Sequence, residues 1–146
     1  MRSTRKLSID AYENVKLMKS ICSNLKYSEK LQEVTLCGFR MTEACATKLN
    51  TGILSSNSVR KVRLSFCIYK REVLQILMPA LTQCFSIQEV NLSANDLDDS
   101  YSYMINKIMS AHQEYKDEQI WQYGLRDEIP PKTRMSSLKK LNLSHN

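Results

Sequence analysis

The chain has 146 residues, 42% hydrophobic and 25% charged, with 21 basic against 15 acidic side chains and a formal net charge of +6. That length is one ordinary domain, and that apolar content excludes a disordered chain. No run of 18 apolar residues occurs, because the richest stretch, VLQILMPAL, is short and interrupted by Gln75 and Pro79, and the basic start MRSTRKLSIDAYENV has no signal-type apolar core, so neither a membrane span nor secretion is expected.

In chain order, a nine-residue pattern with aliphatic side chains at places one, four and six recurs. It is weak from Thr4 (TRKLSIDAY, keeping only Leu7 and Ile9) and clear from Leu31 (LQEVTLCGF), Val59 (VRKVRLSFC), Ile87 (IQEVNLSAN) and Leu138 (LKKLNLSHN). The starts at 31, 59 and 87 are 28 residues apart. Alternation within each pattern predicts a short strand, and the segment that follows runs at helical period. After the strand at Val59, the residues at helical offsets are Val73, Leu74, Leu77 and Leu81; after that at Ile87 they are Tyr101, Met104, Ile105, Ile108 and Met109. Asp98, Asp99 and Ser100 stand where side chains satisfy the free amides of a helix start. Pro79, lacking an amide donor, is expected to kink or restart its helix.

The spacing breaks once, with 51 residues from Ile87 to Leu138. About 23 residues are therefore extra, and residues 112–136 are expected to leave the body as an inserted loop. It carries the only tryptophan, Trp121, beside Ile120, Tyr123 and Leu125. These side chains either fold back over the flank or, through Trp121 and Tyr123, anchor a partner.

The pattern resembles the leucine-rich repeat family, and its 28-residue spacing resembles the intracellular, ribonuclease-inhibitor-like subclass. The signature L-x-x-L-x-L-x-x-N/C-x-L is met in full by Ile87, Val90, Leu92, Asn95 and Leu97, and with cysteine by Val59, Val62, Leu64, Cys67 and Tyr69. Phe39 and Tyr12 depart from it at place nine. The resemblance implies an α/β solenoid of four to five strand-turn-helix repeats over residues 1–146, with a parallel sheet on the concave face and helices on the convex face. It also implies that the place-nine asparagine bonds backbone groups of neighbouring repeats. One repeat cannot bury its own apolar face, so copies stack. Val34, Leu36, Val62, Leu64, Val90, Leu92, Leu141 and Leu143 are expected in one core. A pattern ending at Asn146 without a polar cap suggests a fragment, an array continued by further residues, or association through the carboxy-terminal repeat.

Strand residues at places three, five and seven point away from that core. The expected partner-binding side chains are Lys6, Glu33, Lys61, Glu89 and Lys140 at place three, and Thr35, Arg63, Asn91 and Asn142 at place five. Mixed in sign and mostly short, this row suits a protein surface better than a phosphate backbone. Exposed strand residues are polar for solubility alone, so the row is also compatible with no partner.

Catalysis, cofactors and metals find no support. Three glycines (Gly38, Gly52, Gly124) make no phosphate-cradling loop. His112 and His145 have no nucleophile or acid placed beside them by the sequence. Five cysteines (Cys22, Cys37, Cys45, Cys67, Cys84) form an odd set without a C-x-x-C pair, which predicts buried free thiols in a reducing, cytoplasmic setting. The expected function is a non-catalytic protein-interaction scaffold. In the resembling family, such modules serve cytoskeletal or ciliary assemblies, ubiquitin-ligase adaptors and sensors. Regulation of a small GTPase is the alternative, separable by GTP-hydrolysis assays, and weak nucleic-acid binding is a third, separable by its salt dependence.

Overall fold

The computed structural model describes residues 20, 22, 25–131 and 137–146, together with the backbone of Lys6–Ile9. The expected Thr4 and Tyr12, the side chain of Lys6 and residues 132–136 lie outside this set. The fold is α/β. Five parallel strands, β1 (Lys6–Ile9), β2 (Glu33–Cys37), β3 (Lys61–Ser65), β4 (Glu89–Asn91) and β5 (Lys140–Asn142), form one sheet in chain order. Helices α1 (Glu43–Leu54), α2 (Arg71–Gln83) and α3 (Ser102–Gly124) connect β2 through β5 and pack on each other in the same order.

Register follows the sequence repeat. Lys6, Glu33, Lys61, Glu89 and Lys140 stand side by side across the sheet, as do Leu7, Val34, Val62, Val90 and Leu141. From Val34 to Leu141 the aliphatic row faces a core shared with Cys45, Leu49 and Ile53 of α1, Val73, Leu74, Leu77 and Leu81 of α2, and Met104 and Ile108 of α3. Before each strand one carbonyl accepts two amides from the next unit: Gln32 O from Arg60 and Lys61 (2.7 and 3.0 Å), Arg60 O from Gln88 and Glu89 (2.7 and 3.1 Å), and Gln88 O from Lys139 and Lys140 (2.7 and 3.1 Å). These bonds join unit to unit where the chain enters the sheet.

Local chemistry accounts for the helix ends. Thr42 caps α1 by accepting the Cys45 amide at 3.2 Å, with Glu43 in the first turn complementing the helix dipole. Asp98 accepts the Ser100 amide at 2.9 Å ahead of α3, and its hydrogen bonds from the Ser100 hydroxyl and amide hold its carboxyl below the usual carboxylate range.

Three expectations are corrected. Helix α2 runs through Pro79 without a restart. The Ala80 amide beside the proline donates to Asn50 Oδ1 of α1 at 2.8 Å, so the neighbouring helix supplies the acceptor. Residues 112–124 are not a loop: they continue α3, where His112 and Gln119 are buried and Tyr115 stacks on Phe85 at 4.0 Å between centroids. The helical period does not stop where the regular repeat length would end it, because Phe85 and the Leu81 carbonyl offer this segment a surface to pack on. Finally, Val34, Leu36, Val62, Leu64, Val90 and Leu92 are buried, but Leu141 is half-buried, Leu143 is 38% exposed and Met109 is also exposed. Among the described residues, no element packs over the far side of β5 and the adjoining flank of α3. No helix among them is long and apolar enough to cross a membrane.

Candidate functional site on the polar face of the sheet

Pleating turns places three and five of every strand to the face opposite the core, and parallel register collects them into two rows. Glu33, Lys61, Arg63, Glu89, Asn91, Lys140 and Asn142 line one shallow depression. Seven of the nine residues expected on this face thus stand together, with Thr35 beside them; Lys6 stands at register with Glu33, and only its backbone is described.

The first row alternates in sign, Lys6, Glu33, Lys61, Glu89, Lys140. Lys61 Nζ lies 3.8 Å from Glu89 Oε2, both side chains being well exposed. Such a pair contributes about 0–1 kcal/mol to stability, so its charges are free to exchange partners. In the second row, Thr35 is buried and donates to Glu33 Oε1 at 3.1 Å, which couples the rows. Arg63 is exposed at the centre, between Thr35 and Asn91. Asn91 and Asn142 each accept the amide two residues on, from Ser93 and Ser144, at 2.9 Å, holding their carboxamides against the backbone. Ser65 and Ser93 form a third row, their hydroxyls 3.1 Å apart.

This arrangement offers carboxylates, cations and amides at strand spacing. Its chemistry is ion pairing and hydrogen bonding to another surface.

The expected insertion residues are on α3, away from this face. Trp121 is 65% exposed and Tyr123 half-buried, with Arg126 over the Tyr123 ring at 5.7 Å. Trp121 does not fold back into the core. His112 is no surface residue either: its Nε2 lies 2.8 Å from Leu81 O and its Nδ1 accepts the Leu138 amide at 3.1 Å.

Two features escaped sequence reasoning. A serine precedes place one in three units, Ser58, Ser86 and Ser137, and the first two hydroxyls donate to the preceding unit, to Leu31 O at 2.6 Å and Val59 O at 3.0 Å. The signal was present as S-V, S-I and S-L at the repeat spacing. The other is the turn after β3, where Tyr69, at the last place of the signature, is 43% exposed while its neighbour Ile68 is buried. No pattern in the sequence distinguishes those two.

Four of the five thiols are shielded by burial, whereas Cys37, expected buried with them, is half-buried. Cys22, Cys45, Cys67 and Cys84 are buried and free, and desolvation pushes Cys22 and Cys67 up to about 12. Comparison of the sequence with protein-family models and with curated proteins returns no match.

Proposed function

We propose that this chain is a leucine-rich repeat solenoid of the 28-residue type, acting as a non-catalytic scaffold that binds another protein through the polar strand face. The observation that carries the reading is the register: chemistry 28 residues apart in sequence, or 51 at the last step, stands on adjacent strands, so one continuous polar face is assembled from four units. The turn network supports the repeat assignment, since Asn95 at place nine bonds the neighbouring unit at Cys67, Ile68 and Leu64. Buried, unpaired cysteines fit a cytoplasmic setting. The solenoid's concave side is the polar sheet face and its convex side the helices, as the resemblance implies.

The test is capture from cell extract followed by cross-linking, with the chain and its Lys61→Glu/Arg63→Glu variant in parallel. Both substitutions are exposed, so circular dichroism should be unchanged. Proteins that cross-link to the sheet face and are lost with the variant support the reading. An identical set captured by both would overturn it.

A further inference from the structure

The turn after β3 differs from its counterparts. Place eight of the four units whose turns are described lies at positive φ: Gly38 at 69°, Phe66 at 55°, Ala94 at 57° and His145 at 59°. Glycine adopts this region freely, whereas a bulky side chain is strained there. Phe66 is also 67% exposed, so burial does not offset the strain. Strained residues retained without a packing role concentrate at functional sites.

Three residues on, Tyr69 also faces out. Its counterpart Met41 is buried and Leu97 packs against the core, but in this turn Cys67 and Ile68 fill the interior. Nothing in the packing requires either aromatic residue. Arg40 of the neighbouring turn lies over the Tyr69 ring with its guanidinium carbon 4.3 Å from the centroid, and Lys70 Nζ lies 5.6 Å from it. Lys70 is engaged by Glu43 in a short ion pair, which raises its pKa. Arg40, by contrast, has no carboxylate partner among the described residues, and stacking leaves its N–H edge available. The two turns are locked together by bonds from Gly38 N to Ser65 O and from Met41 N to Cys67 O, both 3.1 Å. The group is thus preorganised, with Arg40 over the exposed Tyr69 ring and the exposed Phe66 three residues before Tyr69 in the same turn.

We propose that Phe66, Tyr69 and Arg40 form a second docking surface, for an extended protein segment carrying one aspartate or glutamate next to a large apolar side chain. The apolar group covers Phe66, and the carboxylate meets the stacked Arg40 guanidinium in a two-pronged hydrogen bond. A single carboxylate is specified because Glu43, Glu72, Asp98 and Asp99 stand in the same and adjoining turns and repel a polyanion. That charge distribution also disfavours nucleic acid, although its bases could stack on the same rings. The inference rests on the reading of the chain as a protein-interaction module, but it uses a surface distinct from the strand face.

The experiment selects a displayed random dodecapeptide library on the 146-residue chain, then measures the enriched peptides by fluorescence anisotropy. The expected peptides carry an aromatic or aliphatic residue within two positions of Asp or Glu. Their affinity falls at least tenfold for Phe66→Gly, which relieves strain and so stays folded, and for Arg40→Gln, but not for Lys61→Glu/Arg63→Glu. Peptides lacking a carboxylate, affinity unchanged by Phe66→Gly and Arg40→Gln, or tighter binding to a twenty-residue oligothymidylate with steep salt dependence would each overturn it. Loss only in Lys61→Glu/Arg63→Glu would also reject this surface while supporting the strand-face reading.

Discussion

Asn146 does for Asn95 what Asn95 does for Cys67. The Asn95 side chain accepts the amides of Cys67 and Ile68 at 2.8 and 2.9 Å and donates to the carbonyls of Leu64 and Leu92. Asn146, one strand on, accepts the amides of Asn95 and Leu97 at 2.8 and 3.2 Å and donates to Leu92 O and Leu143 O at 3.0 and 2.8 Å. Cys67 begins the series with a thiol that reaches Leu36 O at 3.2 Å, the carbonyl equivalent to Leu64 one unit earlier. Each turn is thereby stitched to its neighbour by one side chain.

Asn95→Leu should therefore be costly, because Asn95 is buried and the amides of Cys67 and Ile68 and the carbonyl of Leu64 lose its hydrogen bonds together, while Leu92 O keeps its bond from Asn146. Each buried group left unsatisfied costs about 1–3 kcal/mol, so a loss of roughly 3 kcal/mol or more is expected by urea unfolding. Asn95→Cys should recover part of it by supplying the donor, as Cys67 does. Asn146→Ala, at an exposed place, should cost about 1 kcal/mol. Equal effects at 95 and 146 would show that burial is not what gives the ladder its strength.

Leu92→Ala and Leu143→Ala form a second contrast at equivalent places. Leu92 is fully buried and its truncation should cost about 2–5 kcal/mol, whereas Leu143 is partly exposed and should cost below about 1 kcal/mol. Chemical denaturation of both variants checks it. An unaltered midpoint for Leu92→Ala would contradict the strand register.

Gly52→Ala tests a close approach. In an open helix this change stabilises by about 1 kcal/mol. Here the added Cβ would lie 2.8 Å from the Cys22 carbonyl oxygen and 2.9 Å from Leu25 Cβ, so the backbone must shift. The expected outcome is destabilisation by about 1–3 kcal/mol. A higher thermal midpoint would mean that α1 does not pack against Cys22 and Leu25 as described.

His112 makes the α3–β5 junction sensitive to acid. A carbonyl at Nε2 and an amide at Nδ1 require the neutral ring with its proton on Nε2, and burial lowers its pKa from the ordinary 6.5 despite the Leu81 hydrogen bond. The unfolded chain then binds the proton more readily than the folded one, so the histidine's contribution is present above about pH 6.5 and is lost as pH falls through the folded value. Protection factors at Leu138 and Leu141, exchange rates taken relative to the intrinsic rate at each pH, should fall between pH 7.5 and 5.5 in the native chain. His112→Leu should exchange faster at pH 7.5 but show a flatter pH dependence. Parallel pH profiles for the two proteins would assign the acid sensitivity elsewhere.

Strand places, the buried residues of β2 to β4, the stripe of α2 and the composition of the polar row were all legible in the sequence, because each follows from a local period that one side chain per position satisfies. The tertiary structure decided what depends on a neighbour. Residues 112–124 are helix because Phe85 and Leu81 offer them a surface, and Pro79 is tolerated because Asn50 supplies an acceptor. Ile68 is buried and Tyr69 exposed in a turn, where no period specifies direction. Leu141 and Leu143 carry the same pattern as Val90 and Leu92, yet only the latter are fully buried. Burial belongs to the layer stacked on a strand, and the strand's own sequence does not contain it.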